Sequence, residues 1–316
     1  MIRADETEST IVPRIEVGER LEAGFEWFED TFDSAINWVG STVAYISDGL
    51  AEILAIPDAL ILTVILAAIA WLVRNWKLAL GTVGLMLFII TVDQWNEALE
   101  TLALVAVAAA IALIIAIPLG VLAAKSQIAS RIIRPVMDLM QTMPALVWLI
   151  PALAMFSLGM TAGIFATLIF ALPPGVRFTE LAIRQVDAEV VEAGHAFGST
   201  PAQILFRVQL PLAAKTIMAG VNQVIMLALS MAVFAGFVGA GGLGTEVVRA
   251  ISQLNLALGF DAGLSVVMLA IYLDRVTAGI GGGEGVLAKL LRRRKSAPVQ
   301  TEETAEDKAA TGSPTT

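Results

Sequence analysis

From residue 53 to residue 275 the chain alternates long apolar runs with short polar links. The runs occupy 53–73, 77–94, 101–124, 139–158, 161–181, 212–238 and 256–275. A helix needs roughly 20 apolar residues to cross a hydrocarbon core about 30 Å thick. The pattern therefore predicts an all-α polytopic membrane protein with about seven spanning helices. Two runs are weaker than the rest. The second has a short uninterrupted core, LALGTVGLMLFIITV, and the fifth carries Pro173 and Pro174 near its end with Arg177 beyond. Proline is tolerated in a spanning helix where neighbouring helices or water re-satisfy the freed backbone groups.

The polar ends differ from this middle. Residues 1–52 are acidic, with an amphipathic stretch around Phe25, Trp27, Phe28, Phe32, Ile36 and Trp38 that reads as a solvated extension rather than an interfacial helix. No charged segment followed by a short apolar core opens the chain, so no cleavable signal peptide is expected. Residues 276–316 are first basic and then rich in Thr, Ala, Glu and Pro, a composition that predicts disorder from Ser296 onward.

Charge in the links predicts orientation. Lys and Arg collect in alternate links: Arg74 and Lys77, then Lys125, Arg131 and Arg134, then Arg177, Arg184 and Arg207, then the cluster from Lys289 to Lys295. The link DQWNEALE and the one after the fourth run have none, and the link after the sixth has only Arg249. Basic links face the cytoplasm, which predicts the N-terminus outside and the C-terminus in the cytoplasm.

Overall composition agrees, with 57 % hydrophobic and 16 % charged residues against about 25 % charged in soluble chains. The net charge of −9 comes from the two ends. The chain has no cysteine and a single histidine, His195. That excludes disulfides, thiolate metal sites and His-cluster metal sites, and leaves His195 as a surface or interface residue. Nothing points to nucleic acid.

One stretch departs from the apolar pattern: EVVEAGHAFGSTPAQILFRVQLP, residues 189–211, between the fifth and sixth runs on the expected cytoplasmic side. Val190, Ala193, Gly194 and Phe197 share one helical face. Gly198 supplies the positive φ that ends a helix. Thr200 then fits an N-cap, Pro201 the first helical position and Gln203 the return partner of a capping box. Ile204, Leu205 and Val208 form a second apolar face, and Pro211 marks the entry to the sixth run. The small Ala193 and Gly194 allow close approach of a partner. These residues specify a helix, a turn and a helix, serving either as a packed cap or as a docking site for another protein.

The spacing resembles the EAA signature of ABC-importer permeases: Glu192-Ala193-Gly194, three residues, Gly198, nine residues, then Val208-Gln209-Leu210-Pro211. Gly194 stands where that signature has Ala, and Val208 where it has Ile. Further segments are similar to permeases of glycine betaine and proline betaine importers: MDLMQTMPALVWLIPAL (137–153), TLIFALPPGVRFTELAIRQV (167–186), VQLPLAAKTIMAGVNQVIMLALSMAV (208–233), GGLG (241–244) and VVMLAIYLDR (266–275). The resemblance covers most of residues 53–278. It implies a type I ABC-importer permease fold in the cytoplasmic membrane, with residues 53–275 as the permease domain and 187–211 as its coupling loop. It also implies a second permease copy, ATPase subunits and an extracytoplasmic substrate-binding protein. The chain has no G-x-x-x-x-G-K-[ST] phosphate cradle, so ATP is expected on the partner ATPase and no cofactor here. No fused binding-protein domain is expected after the seventh run. Glu192, Ala193, Gly194, Phe197, Gly198, Thr200, Pro201, Phe206, Leu210 and Pro211 become the expected coupling residues, with Phe197 and Phe206 both open as the apolar anchor.

Polar groups within spans serve transport or hold helices together. Gln141, Pro144, Trp148, Pro173, Asn222 and Gln223 are candidates for the translocation path, with interhelical bonding equally open for Asn222 and Gln223. Asp274 and Arg275 are expected to pair locally or with head groups. GAGGLG, residues 239–244, matches a dinucleotide pattern in letters but lacks its βαβ setting. Gly241, Gly242 and Gly244 are read as a flexible turn near an outer gate. Choline, carnitine or another small solute remain alternatives to betaine as cargo. An ATPase-independent secondary transporter would want more intramembrane charge, and an embedded enzyme a convergent nucleophile, base or metal set.

Overall fold

The computed structural model describes residues 17–282, and among them every regular element is helical. The basic cluster at 289–295, the tail from Ser296 and the acids before residue 17 lie outside the described residues. Twelve α-helices follow one another: α1 (Val17–Ala55), α2 (Ala59–Val73), α3 (Trp76–Thr91), α4 (Trp95–Lys125), α5 (Gln127–Thr142), α6 (Leu149–Phe156), α7 (Met160–Arg184), α8 (Ala188–Ala196), α9 (Pro201–Ile204), α10 (Leu210–Ala235), α11 (Gly242–Gln253) and α12 (Leu256–Gly282).

Among the described residues, four uninterrupted helical stretches are long and apolar enough to cross a membrane: Trp95–Lys125, Met160–Arg184, Pro201–Val238 and Leu256–Gly282. Two bent pairs raise the number to six: Gly18–Ala55 with Ala59–Val73, bent by 104°, and Gln127–Thr142 with Ala145–Phe156, bent by 106°. The seven apolar runs are thus not seven straight spans, and three differences have local causes. The first run begins at Ala59, because Pro57 disfavours helix at Ile56 and Asp58 caps α2 by accepting from the Leu60 amide at 2.9 Å. The second is the 16-residue α3, about 24 Å long at 1.5 Å per residue. The fourth is broken. Pro144 holds Met143 extended, with φ −71° and ψ 138°, so α5 stops at Thr142. A 3₁₀ turn, Ala145–Trp148, leads into α6, and the Trp148 indole donates to the Met140 carbonyl across the corner at 3.1 Å. The link after the sixth run holds a helix, α11, that its mixed composition hid.

The core lies where α7 packs against α4 on one side and α10 on the other. Small residues set these contacts. A Cβ on Gly120 of α4 would come within 2.5 Å of Thr179 Cβ and 2.7 Å of the Val176 carbonyl. One on Gly220 of α10 would lie 2.5 Å from Phe178 Cβ. Ala103, Ala108, Ala112 and Ala116 continue the buried stripe along α4. Lipid tails are as apolar as side chains, so spanning helices associate through such close packing rather than by escaping water. Pro173 and Pro174 are buried within α7, which runs through them unbroken to Arg184.

The reading of residues 1–52 as a solvated extension needs correction for the second half of α1. Ile36 and Ser47 are buried against the bundle, and Gly40 sits on the Phe156 ring, where a Cβ would lie 2.9 Å from Cδ1. Trp27, Phe28 and Phe32, nearer the start of α1, are exposed.

Replacing Gly120 by Val should destabilise the bundle by about 1–3 kcal/mol through overpacking. Thermal unfolding in detergent would show this as a lowered midpoint; an unchanged midpoint would contradict the α4–α7 contact.

Candidate coupling hairpin and transport path

Residues 187–211 form a compact helical hairpin. Asp187 caps α8 by accepting from the Glu189 amide at 2.9 Å. α8 ends as the glycine predicts: Gly198 has φ +76°, its amide donates to the His195 carbonyl at 2.9 Å, and the Ser199 amide reaches the Gly194 carbonyl at 3.0 Å. These two bonds make a Schellman turn. The capping box of the second arm is also present. The Thr200 amide donates to Gln203 Oε1 at 2.8 Å, and the Gln203 amide to Thr200 Oγ1 at 3.3 Å, with Pro201 opening α9.

The apolar side chains then divide. Ile204 is 1 % exposed and seats against Gly194, where a Cβ would stand 3.3 Å from Ile204 Cγ1. The missing bulk at Gly194 therefore serves contact within the hairpin. Phe197 is 90 % exposed and Phe206 67 %, so both large aromatics point away from the bundle. Val190, Glu192, Ala193 and His195 are exposed as well. After α9 the chain widens into a π turn, Leu205–Gln209, before Pro211 and α10. Proline has no amide to donate, and π turns interrupt α-helices mostly at functional places.

The base of the hairpin is tied to the bundle by residues whose partners lie far along the chain, among them Glu180 and Ser130, which the sequence reading passed over. Leu205 and Leu210 pack with Ala182, Ile183 and Ala213, beside Val121 and Ala124 of α4. Gln209 is buried and accepts from Lys125, the last residue of α4. At the other stem, Arg184 pairs with Glu180 at 2.9 Å and donates to the Ala123 carbonyl at 2.9 Å. Glu180 in turn accepts from Ser130 and Arg134 of α5. A lone acid inside an apolar run, with a basic residue one turn on, was the available signal.

The path candidates are spread over α5, the corner after it, α7 and α10. Gln141 is half-buried just before the α5–α6 corner and Pro144 is exposed at it. Gln223 is exposed on α10. Asn222 donates to Asp274 Oδ1 of α12 at 3.0 Å, which gives it an interhelical bond and gives Asp274 a partner besides Arg275, 3.8 Å away. Asn222 Oδ1 is buried without a partner among the described residues. None of these residues lines the apolar cleft of about 580 Å³ between α11 and α12, around Ile251, Leu254 and Phe260. None lines the cavity of about 350 Å³ beneath α1.

The glycine turn 239–244, expected to be a flexible turn, is held by side chains of α4. Gly241 and Gly242 have φ +81° and +67°. The Gly242 amide donates to Glu100 Oε2 at 2.6 Å, and the Leu243 amide to Thr101 Oγ1 at 2.8 Å. Two side chains from the start of α4 thus take the free amides that open α11, where an acid is favoured. Gly244 presses on the α10 backbone, with no room for a Cβ beside the Ala232 carbonyl.

Residues 116–276, from the second half of α4 through the hairpin to α12, match the family described as binding-protein-dependent transport system inner membrane component. The chain belongs to that family. It is therefore a permease subunit of a membrane transport system, not an enzyme, and it sits in the inner membrane. It is 44 % identical over 269 residues to the glycine betaine transport system permease protein OpuAB of Bacillus subtilis (strain 168), covering 85 % of this chain and 95 % of that one. It is 43 % identical over 258 residues to the glycine betaine/proline betaine transport system permease protein ProW of Escherichia coli (strain K12), covering 82 % and 73 %. Among solved structures, an inward-facing MetNI methionine ABC transporter chain superposes with a TM-score of 0.56 at 23 % identity, over 60 % of this chain and 95 % of that one. That likeness is one of fold. The family's dependence on a binding protein makes such a protein a partner.

Removing the hairpin cap by Thr200→Ala should cost about 1 kcal/mol locally. Hydrogen exchange should then quicken at the amides of Gln203 and Ile204 while those of α7 stay as slow as before; unchanged exchange in α9 would contradict the cap.

Proposed function

We propose that this permease is the transmembrane subunit of an ATP-driven importer of glycine betaine and proline betaine-type solutes, driven through the 187–211 hairpin by a separate ATPase. The observation that carries the reading is the hairpin itself. Two exposed phenylalanines, Phe197 and Phe206, stand on a rigidly capped unit that continues into α10. An exposed aromatic on an ordered turn gains most by entering a partner's apolar pocket. The identity to betaine permeases over most of the chain supports the cargo.

In this reading the chain crosses the membrane seven times, with α2 and α3 as short crossings, α5–α6 as a broken one, and α4, α7, α10 and α12 as full ones. The basic links put the N-terminus outside, the C-terminus in the cytoplasm and the hairpin on the cytoplasmic side. Two copies form the pathway, and ATP binds only to the ATPase pair. The ATP-bound pair must bind the outward-open permease more tightly than the inward-open one, since only a difference in affinity shifts the equilibrium. Glu192 lies on the exposed side of α8, available to the same partner, while Gly194, Thr200, Pro201, Leu210 and Pro211 keep the docking unit in shape. The Glu100 and Thr101 clasp on α11 serves the outer end. A quaternary ammonium is held by aromatic faces, and the external binding protein performs that selection.

The test is reconstitution with the candidate ATPase and binding protein, measuring ATP-dependent uptake of labelled glycine betaine. Gly198→Val places a β-branched residue at positive φ, a strain of roughly 1–2 kcal/mol, at a position where a Cβ meets nothing. The variant should insert and expose the same spans, with uptake lowered about tenfold or more. Normal uptake by a well-inserted variant would contradict the coupling role.

A further inference from the structure

The hairpin leaves α7 beside one buried carboxylate. Glu180, one helical turn before the end of α7, is 4 % exposed. It accepts from Ser130 Oγ at 2.8 Å and from Arg134 at 2.9 Å, both on α5, and pairs with Arg184 of its own helix. Arg184 stands three residues before the Asp187 cap of the hairpin and also holds the Ala123 carbonyl of α4. At the other stem, Lys125 of α4 holds Gln209. The carboxylate is thus the point at which α5 joins the entering stem, while the leaving stem is tied to α4.

We propose that Glu180 is a positioning residue of the transport cycle. It clamps α5 to the entering stem of the hairpin, so that hairpin movement is delivered to the α5–α6 corner as well as to α10. This rests on the hairpin being the docking unit.

The two sides of the clamp are unequal, and that makes it releasable. The Arg134 side chain is 59 % exposed and that of Glu180 only 5 %. Arg134 can exchange the carboxylate for water at little cost, whereas Glu180 cannot lose all its partners without leaving a bare buried charge. Arg184 remains with Glu180 on the same helix when α5 departs, so the charge stays paired in both positions. A second α5–α7 pair, Asp138 with Arg177, is exposed on both sides and contributes little for that reason. What α5 would move is the corner at Met143–Pro144, bent by 106°, where Trp148 holds the Met140 carbonyl and α5 acts as the lever. The sixth run is reached through covalent continuity at Pro211; the fourth has no such connection to the hairpin, and the Glu180 clamp supplies one.

The test uses vesicles containing the complete transporter with its ATPase and binding protein. Glycine betaine uptake and ATP hydrolysis are measured together for the wild type and for Glu180→Gln, Arg134→Gln and Arg134→Lys. Glu180→Gln and Arg134→Gln should co-purify with the ATPase and hydrolyse ATP, with uptake per ATP lowered about tenfold or more. Arg134→Lys, which keeps the charge, should recover part of that ratio. A purely static tie predicts that uptake and hydrolysis fall together with the amount of folded complex, leaving the ratio unchanged; that result would overturn the proposal. If Glu180→Gln does not insert, Arg134→Gln decides by the same ratio, since it alters a mostly exposed side chain. Failure of the docking reading would look different: Gly198→Val would then transport normally whatever the Glu180 variants do.

Discussion

The structure depends on how closely α7 is held between α4 and α10. In a bilayer, burial of apolar surface gives helices no reason to prefer each other over lipid, so contact depends on backbones that approach closely and on polar groups that need partners. Gly120, Gly220 and the alanine stripe of α4 supply the first condition. Thr179, buried at the same crossing, keeps its hydroxyl on the Gly175 carbonyl of its own helix, so that hydroxyl does not hold the surfaces apart. With α7 fixed in this way, the ends of α4, α7 and α10 that carry the hairpin form one platform.

The polar contacts sit at the two ends of that packed centre. At one end Glu180, Arg184, Lys125 and Gln209 bind the hairpin stems to α4 and α5. At the other, Glu100 and Thr101 bind the start of α11. Both devices use α4, whose length lets one helix touch the hairpin base with its last turn and the glycine turn with its first. Between them, Asn222 and Asp274 join α10 to α12. A displacement of the hairpin therefore acts on a bundle whose ends are connected by short polar links and whose middle is closely packed, the arrangement expected of elements that shift as units rather than deform.

Local signals in the hairpin were legible in the sequence because they depend on neighbours along the chain. Gly198 ends α8 and Thr200 with Gln203 opens α9, as their spacing requires. The apolar runs located the main helices for the same reason. What could not be read was set by contacts distant in sequence. Glu180 looks like a stray acid until Ser130 and Arg134 are seen beside it, fifty and forty-six positions away. The glycine turn reads as loose until Glu100 closes on it from 142 positions earlier. Hydropathy also merged α6 with the end of α5 into one span, since a window of apolar residues does not register that Pro144 turns the chain. The mixed face of α11 hid a helix for the complementary reason: its polar residues lowered the average while its pattern stayed helical.

The proposed docking of an ATPase on the exposed side of the hairpin is open to direct measurement. The chain contains no cysteine, so a single one introduced at the exposed Ala202 can carry a photo-activated cross-linker without competing sites. In the assembled transporter, illumination should yield a product containing both this chain and the ATPase subunit. A product containing only a second copy of this chain or only lipid, from a transporter that still hydrolyses ATP and transports, would contradict it.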